Sequence, residues 1–264
     1  MHWRDESVHL VVHLVIIFVT STVWVQGQGI DKVDDKVYDK DSRGCGDNMV
    51  WDIISRIVSE TLKIAVLISG GGRTMVNLAE HIAAEALPAR IARVISSKAD
   101  SLGVGRADEA GLGTCVVDRH AYQEVAVFSR NIFDRAREVG ADLVCMAGWL
   151  WLLEIPDDFV HRVINIHPAL LPSFGGKGLY GHHVHEAVLA AGCKISGCTV
   201  HFADQTYDTG PIIVQRACAV HEDDTAESLA ARVFAQECIA YPQAVRLIAE
   251  GRVKVVGRRA RIEE

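Results

Sequence analysis

The 264-residue sequence lacks several features that would assign it at once to a functional class. Its seven cysteines are an odd number, and no Cys-x-x-Cys pair occurs among them. This usage is typical of a reduced protein without a zinc site. The net charge of −7 gives no electrostatic reason to expect a nucleic-acid surface. We therefore expect a cytoplasmic protein that holds no metal and binds no nucleic acid.

The sequence also lacks the common catalytic and nucleotide-binding motifs. It has no Gly-x-Ser-x-Gly motif. The glycine-rich run Ser69-Gly70-Gly71-Gly72-Arg73-Thr74 has the spacing of neither Walker A nor Gly-x-Gly-x-x-Gly. However, it follows an apolar run and precedes residues at helical spacing, an arrangement that directs free backbone N–H groups toward an anion. A tight turn that binds nothing explains the run equally well.

The first sixty residues differ in composition from the rest. Residues 8–25 are almost entirely apolar, and residues 27–48 are polar and rich in Asp and Lys. The apolar segment has the length of a signal peptide or a marginal membrane span, but Arg4 is followed by Asp5 and Glu6, a poor positive region. We expect an N-terminal extension over 1–60, and we favour a misassigned start codon with Met49 as the true start. A membrane role would require 8–25 to be a real span.

From residue 61 onward, apolar runs alternate with amphipathic segments. This alternation predicts a single domain over 61–264, of the α/β class, with a doubly wound and mostly parallel sheet. Two later strands flank a polar loop and predict an antiparallel C-terminal part. Asp224-Thr225-Ala226-Glu227 has capping-box spacing, opening a helix that Pro242 should kink or end. The predicted strands are Leu62–Ile68, Ile91–Ile95, Gly113–Val117, Asp142–Ala147, the run through Asn165 and His167, Lys194–Phe202 and Pro211–Val220.

The stretch Ile164-Asn165-Ile166-His167-Pro168 places polar side chains at alternate positions. In a strand, alternate residues share a face, so Asn165 and His167 should point the same way. Pro168 cannot donate to a sheet ladder and should end the strand just after the histidine. An amide and an imidazole would then lie together at a strand's carboxyl end, where open α/β sheets place their sites.

Asn-x-His-Pro followed by Leu-Leu-Pro, with Asp208-Thr209-Gly210-Pro211 downstream, resembles the folate-dependent formyltransferase family. The run at Ser69 to Thr74 narrows the resemblance to the branch that formylates phosphoribosylglycinamide, and the likeness extends from about Leu62 to about Val256. It implies a Rossmann-like formyltransferase fold, small-molecule substrates, 10-formyltetrahydrofolate as co-substrate, and a monomer or homodimer.

The resemblance also implies roles for individual residues. Asn165, His167 and Asp208 are the expected catalytic group, with Asn165 and His167 stabilising an oxyanion and Asp208 raising the pKa of the histidine. On the residues alone, Arg106 is a solvated helix charge, Glu237 is as well explained as a surface carboxylate, and Leu152 and Leu153 are nearly as well explained as core. Many relatives carry arginine where this chain has Trp151. The residues expected to bind phosphoribosylglycinamide are Gly72, Arg73, Thr74 and Glu237, and those expected to bind folate are Arg106, Leu150, Trp151, Leu152, Leu153 and Asn165.

Three other functions remain open. A methionyl-tRNA formyltransferase should carry a further C-terminal domain and a basic surface, whereas one long helix and a basic tail, Lys254 to Arg261, fill most of this chain after Asp208. A sugar-nucleotide formyltransferase is compatible with the length. A folate-binding protein without turnover is favoured only by Trp151.

The adjacent histidines His182 and His183 diverge on a helix, so we interpret them as solvated, with His185 near the site.

Overall fold

The computed structural model describes residues 61–264. The segment 8–25, the linker 27–48 and the start proposed at Met49 lie outside the described residues. The strands are β1 (Leu62–Ile68), β2 (Ala89–Ser96), β3 (Thr114–Val116), β4 (Leu143–Met146), β5 (Val163–His167), β6 (Ile195–Phe202), β7 (Ile212–Ala219), β8 (Val253–Val256) and β9 (Arg259–Ile262). The α-helices are α1 (Arg73–Ala83), α2 (Leu102–Glu109), α3 (Val125–Glu138), α4 (His182–Ala190) and α5 (Ala226–Ala249).

Seven of these strands form one sheet in the order β3-β2-β1-β4-β5-β6-β7. β1 to β5 run parallel, whereas β6 pairs antiparallel with both β5 and β7. The predicted α/β class, with a mostly parallel sheet and an antiparallel C-terminal part, is confirmed. From β1, the chain adds β2 and β3 on one side of the sheet and then β4 and β5 on the other, so the strand order reverses between β1 and β4. β5 is the next strand after this point. Sheets of this type bind ligands beyond the carboxyl ends of the strands at such a point.

Both faces of the central strands are buried, which explains why β1 is apolar at nearly every position. Ile64, Val66 and Ile68 pack into one core cluster, which includes residues of α1 and α5. Ala65 and Leu67 pack into the other, which includes residues of α3. A parallel strand covered on both sides gains from burial at each residue, so it shows no polar alternation. β5 departs from this rule at its end, where Asn165 and His167 are polar.

Helix α5 begins differently from the prediction and continues past the proline. The capping box is formed by Thr225 and Ser228, whose backbone N–H groups each donate to the other's side-chain oxygen. The Asp224 carboxylate is engaged by Arg232 instead, at 2.6 Å. Pro242 lies inside the helix and does not end it. Within residues 61–264, no helix combines the length and apolar character of a membrane span.

The predicted basic tail is a hairpin. β8 and β9 pair antiparallel, with Val256 opposite Arg259, so Gly257 and Arg258 form a two-residue turn. Gly257 has a φ of +61°, a conformation that glycine adopts without a Cβ clash. The predicted tail is therefore an ordered strand pair, with Lys254, Arg259 and Arg261 on the strands and Arg258 in the turn. β9 contacts β7 at the edge of the large sheet.

Candidate active site

The carboxyl end of β5 presents one amide and one imidazole on the same face. β5 ends at His167, directly before Pro168, as predicted. Ile164 and Ile166 are buried in the hydrophobic core. Only 3% of His167 is exposed, so its imidazole is removed from bulk water. The strand therefore fixes the backbone positions of both polar groups through its sheet pairing.

The antiparallel neighbour β6 adds a second histidine to this face. The strand register places His201 opposite Asn165. The Asn165 Nδ2 group donates to His201 Nε2 at 3.2 Å, and His201 Nδ1 donates to the Phe202 carbonyl at 2.8 Å. His201 was not identified from sequence. Lys194–Phe202 was predicted to pair with Pro211–Val220, and only the observed register with β5 shows which residue of β6 faces Asn165.

The loop between β6 and β7 brings Asp208 to the same cluster. Its carboxylate Oδ2 lies 3.5 Å from His167 Nδ1, and Oδ1 lies 3.6 Å from His201 Nε2. Asn165 Nδ2 also donates to Oδ1, at 3.4 Å. The backbone N–H of Gly176 donates to Oδ2 at 2.8 Å. The three residues expected to be catalytic are thus together, although Asp208 is more than forty residues from Asn165 in sequence.

The backbone of this loop explains the Asp-Thr-Gly-Pro pattern. Asp208 has a φ of +57°, which turns the chain back toward β5. A Cβ atom on Gly210 would lie 1.8 Å from the Phe202 carbonyl oxygen, so a larger residue there would force β6 and the loop apart. Glycine at this position therefore allows the close approach that brings Asp208 to the two histidines.

The pKa values of His167 and Asp208 both lie below their usual ranges. Burial lowers the pKa of His167, and this effect outweighs the nearby Asp208 carboxylate, which raises it. For Asp208, burial raises the pKa, but its contacts with His201, His167 and the Gly176 N–H lower the pKa by a larger amount. The predicted influence of Asp208 on the histidine is present, but the predicted net direction was wrong because His167 is so deeply buried.

A cavity of about 640 Å³ extends from this cluster to the glycine-rich turn. At the turn, Gly72 has a φ of +67°, and a Cβ there would lie 2.8 Å from the Gly103 Cα. The cavity is lined by eleven of the residues expected to bind or transform substrate, namely Gly72, Arg73, Thr74, Leu150, Trp151, Leu152, Leu153, Asn165, His167, Asp208 and Glu237.

Comparison with known proteins agrees with this geometry. The family model described as "Formyl transferase" matches residues 62–245. The chain belongs to the formyl transferase family. It is 39% identical over 195 residues to the chloroplastic phosphoribosylglycinamide formyltransferase of Arabidopsis thaliana, covering 73% of this chain and 67% of that protein.

Two further comparisons define the extent of the likeness. A solved structure of glycinamide ribonucleotide transformylase 1 from Symbiobacterium toebii has a TM-score of 0.73 and 40% identity, covering 78% of this chain and 95% of that one. The trifunctional purine biosynthetic protein adenosine-3 of Bos taurus is 39% identical over 204 residues, covering 76% of this chain. The matched region is 19% of that longer protein, so the likeness concerns one part of it.

Within this formyl transferase chain, the wall at Leu150–Leu153 is held by hydrogen bonds to its backbone. The Leu150 N–H donates to Ser69 Oγ at 3.3 Å, and the Leu152 N–H donates to the Tyr207 hydroxyl at 3.0 Å. Leu150 is 40% exposed, whereas Leu153 is buried. The segment therefore offers the cavity an apolar surface at a defined position, and Tyr207 connects it to the Asp208 loop.

Trp151 and Arg106 lie in surroundings that the sequence did not show. The Trp151 ring lies 5.4 Å from the Arg119 guanidinium, which also packs on Phe128. Thus a cation is present beside the position where many relatives carry arginine. Arg106 does not line the cavity. Its Nη1 donates to the carbonyl of Gly71, so it supports the glycine-rich turn from outside.

The far end of the cavity pairs an exposed cation with a half-buried acid. The Arg73 guanidinium lies 4.0 Å from the centroid of the Phe234 ring, a cation–π contact. Burial raises the pKa of Glu237 to about 7, and the Arg73 charge opposes this shift. Phe234 was not identified from sequence, because a lone aromatic residue on a helix is usually core. Its spacing of three residues from Glu237 on α5 was the available signal.

The first two histidines of α4 are exposed as predicted, but they do not diverge, because both contact the same carboxylate. His182 and His183 are exposed and lie 3.4 and 3.3 Å from oxygens of Glu186. His185 is 4% exposed and lines the cavity. Among residues 61–264, no group of three or more His, Cys, Asp or Glu side chains is arranged to hold a metal ion.

Proposed function

We propose that this formyl transferase catalyses transfer of the formyl group of 10-formyltetrahydrofolate to the amine of phosphoribosylglycinamide, a step of purine biosynthesis. The observation that carries the proposal is the cluster of Asn165, His167 and Asp208 on the wall of a cavity that also reaches the glycine-rich turn. The proposal is also supported by the activities named for the similar Arabidopsis and Symbiobacterium proteins, and by the share of this chain that matches each of them.

Formyl transfer of this kind requires an oxyanion site and a proton route, but no covalent intermediate on the protein. The substrate amine attacks the formyl carbon, and negative charge develops on the former carbonyl oxygen. That oxygen needs hydrogen-bond donors arranged in advance, in a site with little water. A proton must then leave the attacking amine, and another must reach the departing N10 nitrogen of the folate.

Asn165 supplies the first oxyanion donor in this mechanism. Its Nδ2 group is oriented by His201 and Asp208, at 3.2 and 3.4 Å, on a strand held from both sides. Nδ2 carries two N–H groups, so one of these two contacts gives way to the oxyanion while the other keeps the amide in place. Removing such a donor typically costs about 3–4 kcal/mol in the barrier.

His167 is the second donor and the general acid. Burial lowers the pKa of His167 and so favours the neutral imidazole before the reaction begins. The developing oxyanion adds a negative charge close to the ring, which favours the protonated form and offsets burial. Asp208 has a lowered pKa and stays a carboxylate at neutral pH, so it can accept the amine proton directly or through a water. The pair therefore serves as acceptor and donor of protons on one side of the reacting centre.

The remaining cavity residues divide between the two substrates. The phosphate of phosphoribosylglycinamide binds at Gly72, Arg73 and Thr74, where the N-terminus of α1 and a guanidinium favour an anion. Glu237 contacts the same substrate. The folate lies along the apolar wall of Leu150, Trp151, Leu152 and Leu153, with its formyl group at Asn165. Arg106 acts on the folate or the phosphate only through the turn that it supports.

A turnover assay on the full chain tests this function. Purified protein is mixed with 10-formyltetrahydrofolate and phosphoribosylglycinamide, and release of deformylated folate is measured. Methionyl-tRNA, a sugar-nucleotide amine and buffer replace the acceptor in parallel reactions. We expect turnover that depends on phosphoribosylglycinamide. Equal rates with buffer, or turnover with another acceptor alone, would overturn the proposal. Folate binding without any turnover would favour the inactive binding protein.

We further propose that the protein acts in the cytoplasm as a monomer or homodimer, with 61–264 as the catalytic domain. The name of the Arabidopsis relative places that protein in the chloroplast, so the compartment of this chain requires its own measurement. Cell fractionation with an antibody to the chain tests the compartment, and light scattering at assay concentration tests the oligomeric state. Expression of 49–264 with undiminished turnover is expected if the first sixty residues are an extension.

A further inference from the structure

The C-terminal hairpin is connected to the active-site loop by a hydrogen bond from Arg258. At the β8–β9 turn, Arg258 Nη2 donates to the carbonyl of Thr209 at 3.0 Å. Thr209 directly follows Asp208. The hairpin lies after residue 245, where the match to the family model ends. An element outside the matched region thus contacts the loop that carries a proposed catalytic carboxylate.

The Asp208 loop lies between the large cavity and a second cavity. Toward β5, the Asp208 carboxylate contacts His167, His201 and the N–H of Gly176. On the other side lies a second cavity of about 590 Å³, lined by the loop, by the segment around Leu171 and by the hairpin. Where a cavity replaces packing, van der Waals contact cannot fix the loop, so a polar tether across the gap has a larger influence on its position.

Within the Asp208 loop, the Thr209 side chain bonds to another loop residue, whereas the Thr209 carbonyl accepts from Arg258 of the hairpin. The Thr209 hydroxyl donates to the Asp204 carboxylate at 2.7 Å, and the Thr206 N–H donates to the same side chain at 3.0 Å. These bonds close the loop on itself but do not connect it to another element. On the amino-terminal side of Asp208, Tyr207 and Gln205 connect the loop to Leu152 and Ile155. On the carboxyl-terminal side, Arg258 adds a connection at Thr209 from the hairpin, which is held by the pairing of β9 with β8 and by its contact with β7.

We infer that Arg258 is a positioning residue that sets the place of the Asp208 carboxylate relative to His167 through its hydrogen bond to the Thr209 carbonyl. The inference rests on the proposed function, in which Asp208 exchanges a proton with the reacting centre. The distances from Asp208 to His167 and His201 are 3.5 and 3.6 Å, so a small shift of the loop changes both electrostatic contacts. Substrate binding at the opposite end of the large cavity does not involve Arg258.

The first test compares Arg258→Gln with Arg259→Gln in the full chain. Both changes remove one exposed positive charge from the lining of the same cavity, but Arg258 is the one that donates to Thr209. We expect kcat to fall about fivefold in Arg258→Gln, with both KM values unchanged, and to stay at the wild-type level in Arg259→Gln. Arg258→Lys, which keeps a donor, should recover most of the rate. Equal rates for the two Gln variants would overturn the inference.

The second test does not depend on turnover. Carboxyl ¹³C NMR of Asp208, assigned by its loss in Asp208→Asn, measures the titration of this group in the protein without substrate. In Arg258→Gln we expect the midpoint to move upward, because the contacts that favour the carboxylate weaken, and Arg259→Gln controls for the lost charge. An Asp208 titration that is the same in both variants would refute the positioning role even if the wild-type protein showed no formyl transfer. Wild-type inactivity together with a selective NMR shift would reject the proposed function and retain the role of Arg258.

Discussion

The two ends of the large cavity are built on different principles. At the catalytic end, Asn165, His167 and Asp208 have several mutual contacts, and the two ionisable side chains are no more than 9% exposed. At the far end, backbone groups of the Gly72 turn lie beside an exposed arginine that packs on one aromatic ring. A buried group whose contacts determine its position acts on a developing charge, whereas an exposed cation mainly attracts and orients a charged substrate. The catalytic end should therefore govern kcat, and the far end KM.

The strongest test of this contrast is His167→Ala. Loss of the general acid and of one oxyanion donor should lower kcat by roughly 10²–10⁴-fold, with a smaller change in KM. Steady-state kinetics measures both constants, and circular dichroism checks the fold. His183→Ala removes an exposed histidine of α4 and should retain wild-type rates. Near-native turnover of a folded His167→Ala protein would remove His167 from the mechanism.

Asn165→Ala should have the next largest effect. A preorganised amide donor is typically worth about 10²–10³ in kcat, because its contact forms mainly in the transition state. The matched control is Asn131→Ala, an exposed amide that donates to a carbonyl of its own helix. If Asn165→Ala raised KM and left kcat unchanged, the amide would be a substrate-binding group, and the contrast between the two ends would fail.

Glu237→Gln tests the far end of the cavity through the free energy of unfolding. The pKa of Glu237 is raised in the folded protein to about 7, above its usual value, so its contribution to stability is complete below about pH 4.5 and is lost as the pH rises through 7. Glutamine cannot ionise, so at pH 8.5 the variant should gain on the order of 2 kcal/mol relative to wild type, a difference that declines at pH 5. Urea unfolding at both pH values measures this. A difference for Glu237→Gln that stays constant between the two pH values would contradict the raised pKa.

Phe234→Leu should give the smallest effect. Loss of the cation–π contact frees the Arg73 guanidinium and should raise the KM for phosphoribosylglycinamide about two- to fivefold, with kcat and the KM for folate unchanged. Phe234→Tyr keeps an aromatic face and should bind like wild type. An effect on kcat alone would place Phe234 with the catalytic end.

Residues close in sequence explain the parts of the site that were predicted without a structure. The alternation at Asn165 and His167, and the stop at Pro168, follow from strand geometry within five residues. The α/β class follows from apolar runs that are buried on both faces. The grouping of Asp208 with these residues came instead from resemblance to a family, since no local rule joins positions so far apart.

The sequence by itself determined the strands of the large sheet, where β5 ends and which of its side chains share a face, because these depend on local backbone geometry and burial. It did not determine the β8–β9 hairpin. Only the tertiary structure decided the partners. The β5–β6 register brought His201 to Asn165, burial reversed the expected direction of the His167 pKa, and the pairing of β8 with β9 carried Arg258 to the Asp208 loop. These outcomes depend on distances and solvent exclusion between segments that are remote in sequence, and such quantities exist only after the chain has folded.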